Sequence, residues 1–96
     1  MLTKEEIIQT VIEANIFDSN IFTKVWLAGS FARNEATEKS DIDFLIEYDI
    51  DKINSETVTH WTNAIIFIEK TFNRKAQLIS TEAYVRFENS REFLIK

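Results

Sequence analysis

Apolar and polar positions follow two different periods along the chain, and the changes of period mark its elements. Ile7, Ile8, Val11 and Ile12 recur at helical spacing, and Thr3 followed by Glu6 reads as a capping box, so a first helix is predicted to about Asn15. Lys24 to Ala28 is a short β-rich run that stops at Gly29. Ser30 to about Asn34 can start a short helix, and Glu35 to Ser40 is a polar loop. From Asp41 to Tyr48 the period becomes two: Ile42, Phe44, Ile46 and Tyr48 point one way, and Asp41, Asp43, Leu45 and Glu47 the other. The helical period returns after Ser55, read as the cap of a long helix to about Phe72. Val58, Trp61, Ile65, Ile68 and Phe72 form its core-facing stripe. Ile66 and Phe67 lie off that stripe, and this extra apolar surface is either deeper core or an interface with a partner or a second copy. Lys75 to Ser80 is a third short strand. Thr81 begins a last helical stretch through Ala83, Tyr84 and Phe87, with a further turn at Phe93 to Ile95.

The resulting order, α-β-α-β-α-β-α, predicts an α+β domain with a small sheet and helices. The segment between Gly29 and Asp41 is too short for a parallel crossover built on a substantial helix, which needs about a dozen residues or more, so the first two strands are expected antiparallel. The long helix can carry a parallel crossover from the second strand to the third, and the sheet is therefore expected to be mixed. With no proline and one glycine, turns fall to Asn, Asp and Ser, as at Asp18-Ser19-Asn20 and Asn54-Ser55.

Composition narrows the picture. Ninety-six residues suit one domain, 1–96, and the apolar content of 45% suits a packed core rather than a disordered chain. The absence of cysteine excludes disulfides, zinc–thiolate sites and thiol catalysis. MLTKEEIIQT is polar and acidic where a signal peptide is basic and then apolar, and no apolar run approaches bilayer length, so a cytoplasmic protein without membrane contact is expected. A net charge of −5 disfavours direct binding to a nucleic-acid backbone. It leaves room for a phosphorylated small ligand, because a divalent cation can bridge carboxylates to phosphate.

The candidate chemistry sits in VWLAGSFARNEATEKSDIDFLIEYD, Val25 to Asp49. Antiparallel pairing of the first two strands would bring Gly29-Ser30 beside Asp41 and Asp43. Gly29 allows positive φ and close backbone approach to a ligand. Ser30 and the amides after it would open a helix, which favours an anion. Asp41 and Asp43 project from one face of a strand with Cα atoms roughly 7 Å apart, a carboxylate pair suited to a hard divalent cation. A phosphate cradle beside two metal-holding carboxylates is what metal-assisted phosphoryl or nucleotidyl transfer requires. Taken singly, Gly29-Ser30 is an ordinary strand-to-helix turn and the two aspartates a solvated strand entrance; their spacing makes the combination specific.

Gly29-Ser30, ten residues, then Asp41-x-Asp43 resembles the GS-x10-D-x-D signature of the polymerase-β-like nucleotidyltransferases. Ala32-Arg33 and Ser40 also resemble the small prokaryotic version, the minimal nucleotidyltransferase domain, with its motif close to GSxARGxxxxxSDxDL. The resemblance implies the polymerase-β-like fold over nearly the whole chain. It implies transfer of a nucleoside monophosphate from ATP with Mg2+, with Asp41 and Asp43 on the metal and Gly29, Ser30, Arg33 and Ser40 toward the nucleotide. It also implies a partner: such domains pair, as antitoxins, with a helical HEPN-type toxin whose tyrosine hydroxyl can accept the nucleotidyl group. Association with a second copy of the chain is open.

Two positions depart from the pattern. Asn34 replaces the second glycine, a mild change because Asn tolerates left-handed backbone. Ala76-Gln77-Leu78-Ile79 matches the strand on which the family usually carries a third carboxylate, and Gln77 takes that place. An amide accepts a hydrogen bond but is neutral and cannot act as a base. Glu47, about 13 Å further along the strand, cannot substitute. The alternative reading follows: a catalytically impaired nucleotide- or partner-binding module. Arg33 reads equally as a phosphate contact or a surface residue, His60 beside Trp61 as packing or surface, and Lys70, Arg74 and Lys75 as a solvated basic cluster, with attraction of polyphosphate or a partner as the lesser reading.

Overall fold

The computed structural model describes residues 1–81 and 93–96. Helix α1 spans Lys4–Ala14 and begins where the pattern places it, with the Glu6 amide donating to the Thr3 hydroxyl at 3.2 Å. Strand β1 (Phe22–Ala28), helix α2 (Gly29–Ala32) and strand β2 (Ile42–Tyr48) follow. A 3-10 turn at Ile50–Lys52 leads to helix α3 (Ser55–Phe72), strand β3 (Ala76–Ser80) and strand β4 (Phe93–Leu94). The sheet order is β3-β2-β1-β4. β1 and β2 run antiparallel, β2 and β3 run parallel across α3, and β4 lies antiparallel on the free side of β1. The expected α+β fold with a small mixed sheet is therefore the one observed.

The two sides of the sheet are built differently. On one side, Ile7 and Val11 of α1 and Ala64 and Ile68 of α3 pack with Val25, Leu27, Ile42, Phe44, Ile46, Ala76 and Leu78. On the other, Trp26, Ala28 and Leu45 form a smaller buried cluster with Ile79 at its margin. A bulge at Thr23 resets the alternation in β1, so that Phe22 joins the larger core with Val25 and Leu27. The displaced Thr23 hydroxyl donates to the Glu47 carbonyl and carboxylate at 3.1 and 3.0 Å.

Several expectations are corrected. Phe93 to Ile95 is not a helical turn: Phe93–Leu94 is a strand, and the Ile95 amide donates to the Val25 carbonyl at 2.7 Å. Three apolar residues are too few to set a period, and the pairing partner lies far away in sequence. The helical stretch expected through Ala83, Tyr84 and Phe87 lies outside the described residues. The cap of α3 is Asn54, not Ser55: its side chain accepts from the Glu56 amide at 2.8 Å, and its own amide donates to the Thr57 hydroxyl at 2.9 Å. Val58 is 71% exposed, so the first turn of α3 stands clear of the sheet. Ala64 and Ile68 are the buried residues of α3, and Trp61, Ile65, Phe67 and Phe72 are partly buried against the larger core. Of the two off-stripe residues, Phe67 joins the core and Ile66 is exposed. Among the described residues no helix is long and apolar enough to cross a membrane.

Candidate functional site

Strand register assembles the site. Antiparallel pairing sets Ala28, the last residue of β1, opposite Asp43, so Gly29 follows directly beside it. Parallel pairing sets Gln77 of β3 alongside Asp43 on the other flank. By alternation Asp43 and Gln77 face away from α1 and α3, on the side of Leu45 and Ile79. Asp41 lies just before β2 and is half-buried, like Asp43.

Gly29 is required here on two counts. Its φ is +69°, where a side chain is strained. A Cβ at this position would also press into the Asp43 carboxylate, lying 3.2 Å from both Cβ and Cγ of that residue. The missing side chain is what lets the Asp43 carboxyl group sit against the turn.

The connection from α2 to β2 is short and heavily bonded. Glu35 donates its amide to the Ser30 carbonyl at 2.9 Å, and Asn34 takes the left-handed conformation with φ 59°. The Ser40 hydroxyl accepts from the Thr37 amide at 2.8 Å, so it closes its own loop. Arg33 is exposed and pairs with Glu35 at 3.0 Å. The Ile42 amide donates to the Lys75 carbonyl at 2.9 Å, locking the start of β2 to the start of β3.

The family model for the nucleotidyltransferase domain matches residues 8–95. The chain belongs to that family. A curated protein of Methanocaldococcus jannaschii, named "Putative protein adenylyltransferase", is 37% identical over 57 residues, which cover 59% of this chain and 55% of the relative. The chain thus spans about half the length of the curated relative it matches. No solved structure matches it significantly.

In this nucleotidyltransferase domain the electrostatics centre on Asp43. Burial raises its pKa above the ordinary carboxylate value, the neighbouring Asp41 charge raises it further, and Arg33 opposes both. Two carboxylates that repel one another at the mouth of a sheet, beside a glycine turn, are hard oxygen donors whose mutual cost a divalent cation would relieve, so the donor set fits such an ion. Among the described residues no group of three or more His, Cys, Asp or Glu forms a cluster. The neighbour of Asp43 on β3 is the exposed amide Gln77.

His60 lies apart on α3, 42% exposed and 3.9 Å from Glu56. Two further residues engage backbone near the site. Glu69 of α3 accepts the Ala76 amide at 3.1 Å, at the head of β3. Arg74, read as part of a solvated cluster, is instead engaged: its Nη1 donates to the carbonyls of Thr37, Glu38 and Ser40 at 3.0, 3.1 and 3.2 Å. Its guanidinium lies 5.1 Å from the centre of the Phe31 ring. No sequence spacing signals this, because the partners are 34 to 37 residues away.

Proposed function

We propose that this chain transfers a nucleoside monophosphate from a nucleoside triphosphate, with ATP as the donor, to a hydroxyl group on a protein. The observation that carries the reading is the carboxylate pair Asp41 and Asp43 set against Gly29, whose missing Cβ leaves the Asp43 carboxyl group its place. Family membership and the name of the archaeal relative support it. Asp41 and Asp43 would hold a divalent cation, Mg2+ being the natural choice for oxygen donors beside phosphate, and it would supply charge neutralisation at the phosphates. Gly29 and Ser30 would line the phosphate side, with Arg33 at its rim. Ser40 serves the loop that leads into Asp41. In the reaction the acceptor oxygen bonds to the α-phosphorus, pyrophosphate leaves, and the hydroxyl proton needs an acceptor. The tyrosine of a HEPN-type partner, with this chain as antitoxin, is the acceptor we propose.

Gln77 favours a second reading. It stands beside Asp43 and cannot take that proton, so the domain would bind nucleotide or partner with little turnover. Incubation with labelled ATP, Mg2+ and the co-encoded partner separates the two. Label on the partner that disappears with Asp43→Asn is expected. Absence of label, or transfer indifferent to that substitution, would sink the enzymatic reading. Neutralisation of the partner that survives loss of both aspartates would favour the binding module.

A further inference from the structure

We propose that Arg74 is a positioning residue for the Asp41–Asp43 pair, acting through the backbone of the loop that leads into it; this rests on the functional reading above. The site comes from three separate pieces of chain: the β1–α2 turn with Gly29 and Ser30, the entry to β2 with Asp41 and Asp43, and β3 with Gln77. Arg74 touches or adjoins all three. Its ring-facing contact is Phe31, a buried residue of α2. Its Nη1 gathers the carbonyls of Thr37, Glu38 and Ser40, the last of which is the residue before Asp41. Its own backbone lies between Asn73, the left-handed cap of α3, and Lys75, whose carbonyl takes the Ile42 amide. Three carbonyls converging on one nitrogen pull a polar loop into a single shape, and guanidinium is the side chain whose planar donors and flat face can serve carbonyls and an aromatic ring together.

The link from Arg74 to the pair runs through backbone, since the Ser40 carbonyl that it holds belongs to the residue before Asp41. Arg33 and Arg74 therefore divide the labour. One is an exposed charge paired with Glu35; the other is a half-buried anchor. Residues that orient metal-holding carboxylates from behind are commonly worth 10–100-fold in metal affinity when removed.

The test compares wild type, Arg74→Ala and Arg74→Lys in melting temperature, amide exchange over residues 37–43, Mn2+ affinity by electron paramagnetic resonance, and label transfer as a function of Mg2+. Arg74→Ala should stay folded, exchange faster over the loop, and bind Mn2+ about tenfold more weakly. Its transfer should need more Mg2+ while saturating near the wild-type rate, and added guanidinium ion should restore part of the lost affinity. Arg74→Lys should fall between the two, keeping carbonyl contacts without the flat face. If Arg74→Ala is unfolded, Arg74→Lys decides by the same readouts. Unchanged loop exchange and Mn2+ affinity in a folded variant would overturn the proposal. Full recovery by lysine would uphold the carbonyl contacts as the positioning element and remove any role for the flat face on Phe31. Faster loop exchange and weaker Mn2+ binding, in a protein whose wild type transfers no label, would uphold Arg74 and instead remove the enzymatic reading.

Discussion

The two faces of the sheet are made from the same strands and do opposite work. On β2, Ile42, Phe44 and Ile46 are fully buried under α1 and α3. The intervening residues are Asp43, Leu45 and Glu47, of which only Leu45 is buried as deeply. On β2 the helix-covered face is apolar from Ile42 to Ile46 and belongs to the larger core. The other begins apolar at Trp26 and Leu45 and turns into carboxylate and amide at the strand ends, Asp43 and Gln77. The repulsion between Asp41 and Asp43 there is tolerated because the first face holds the sheet regardless. The cost of two close carboxylates thus falls at the end of strands whose other sides are secured.

The comparison breaks most visibly on the first face. Leu27→Ala should destabilise the domain by about 2–5 kcal/mol, since Leu27 has no exposed surface and its loss leaves a cavity. Urea unfolding measures this directly, and a loss below about 1 kcal/mol would mean that the face is not the main source of stability. Next in size is Gly29→Ala. Left-handed backbone alone costs a non-glycine residue roughly 1–2 kcal/mol, and here the new methyl must also displace the Asp43 carboxyl group. Both stability and cation affinity should fall. Asn34→Ala shares only the positive φ, so it should lower stability and spare the cation site.

Much of this layout is legible in the amino-acid sequence, and what is legible is local. The stripes of α1 and α3 apart from the exposed Ile12 and Val58, the period-two run of β2, the unique glycine, and the antiparallel turn implied by a short connection all depend on residues near one another. The closeness of Gly29 to Asp43 follows for the same reason, because Gly29, Asp41 and Asp43 lie within one β-turn-β unit. What escapes is set by distance. β4 is two residues long and exists by pairing with β1. The bulge at Thr23 shows only when two strands are aligned. Arg74 looks like one of three basic residues until the fold brings its loop carbonyls to it.

A smaller effect sharpens the second face. The folded-state pKa of Asp43 lies above its unfolded value, so the folded protein carries a cost for the ionised carboxylate at neutral pH. That cost is present above the folded pKa and fades as pH falls through it toward the unfolded value. Asp43→Asn removes it, and should raise the melting temperature at neutral pH by no more than a few degrees, given that a half-exposed charge is screened. The gap to wild type should close on acidification. A gap that widens instead would show that Asp43 is stabilised in its charged form, contrary to the burial and the Asp41 repulsion described.

The smallest effect on stability is expected from Gln77→Asp, and it is the most telling for function. Gln77 is exposed, so the substitution should change stability by less than about 0.5 kcal/mol in the absence of metal. Its direction should be downward, because a third carboxylate next to Asp43 adds a like charge to a pair that already repels. A divalent cation should reverse the sign. Thermal melts with and without Mg2+ should show a larger cation-induced rise for Gln77→Asp than for wild type, since a ligand that binds only the folded state stabilises it more the more tightly it binds. If label transfer rises with it, the phosphate turn and the carboxylate pair were already competent and one amide limited turnover. If the cation effect grows and transfer does not, the second face holds a binding site that the missing carboxylate alone does not explain.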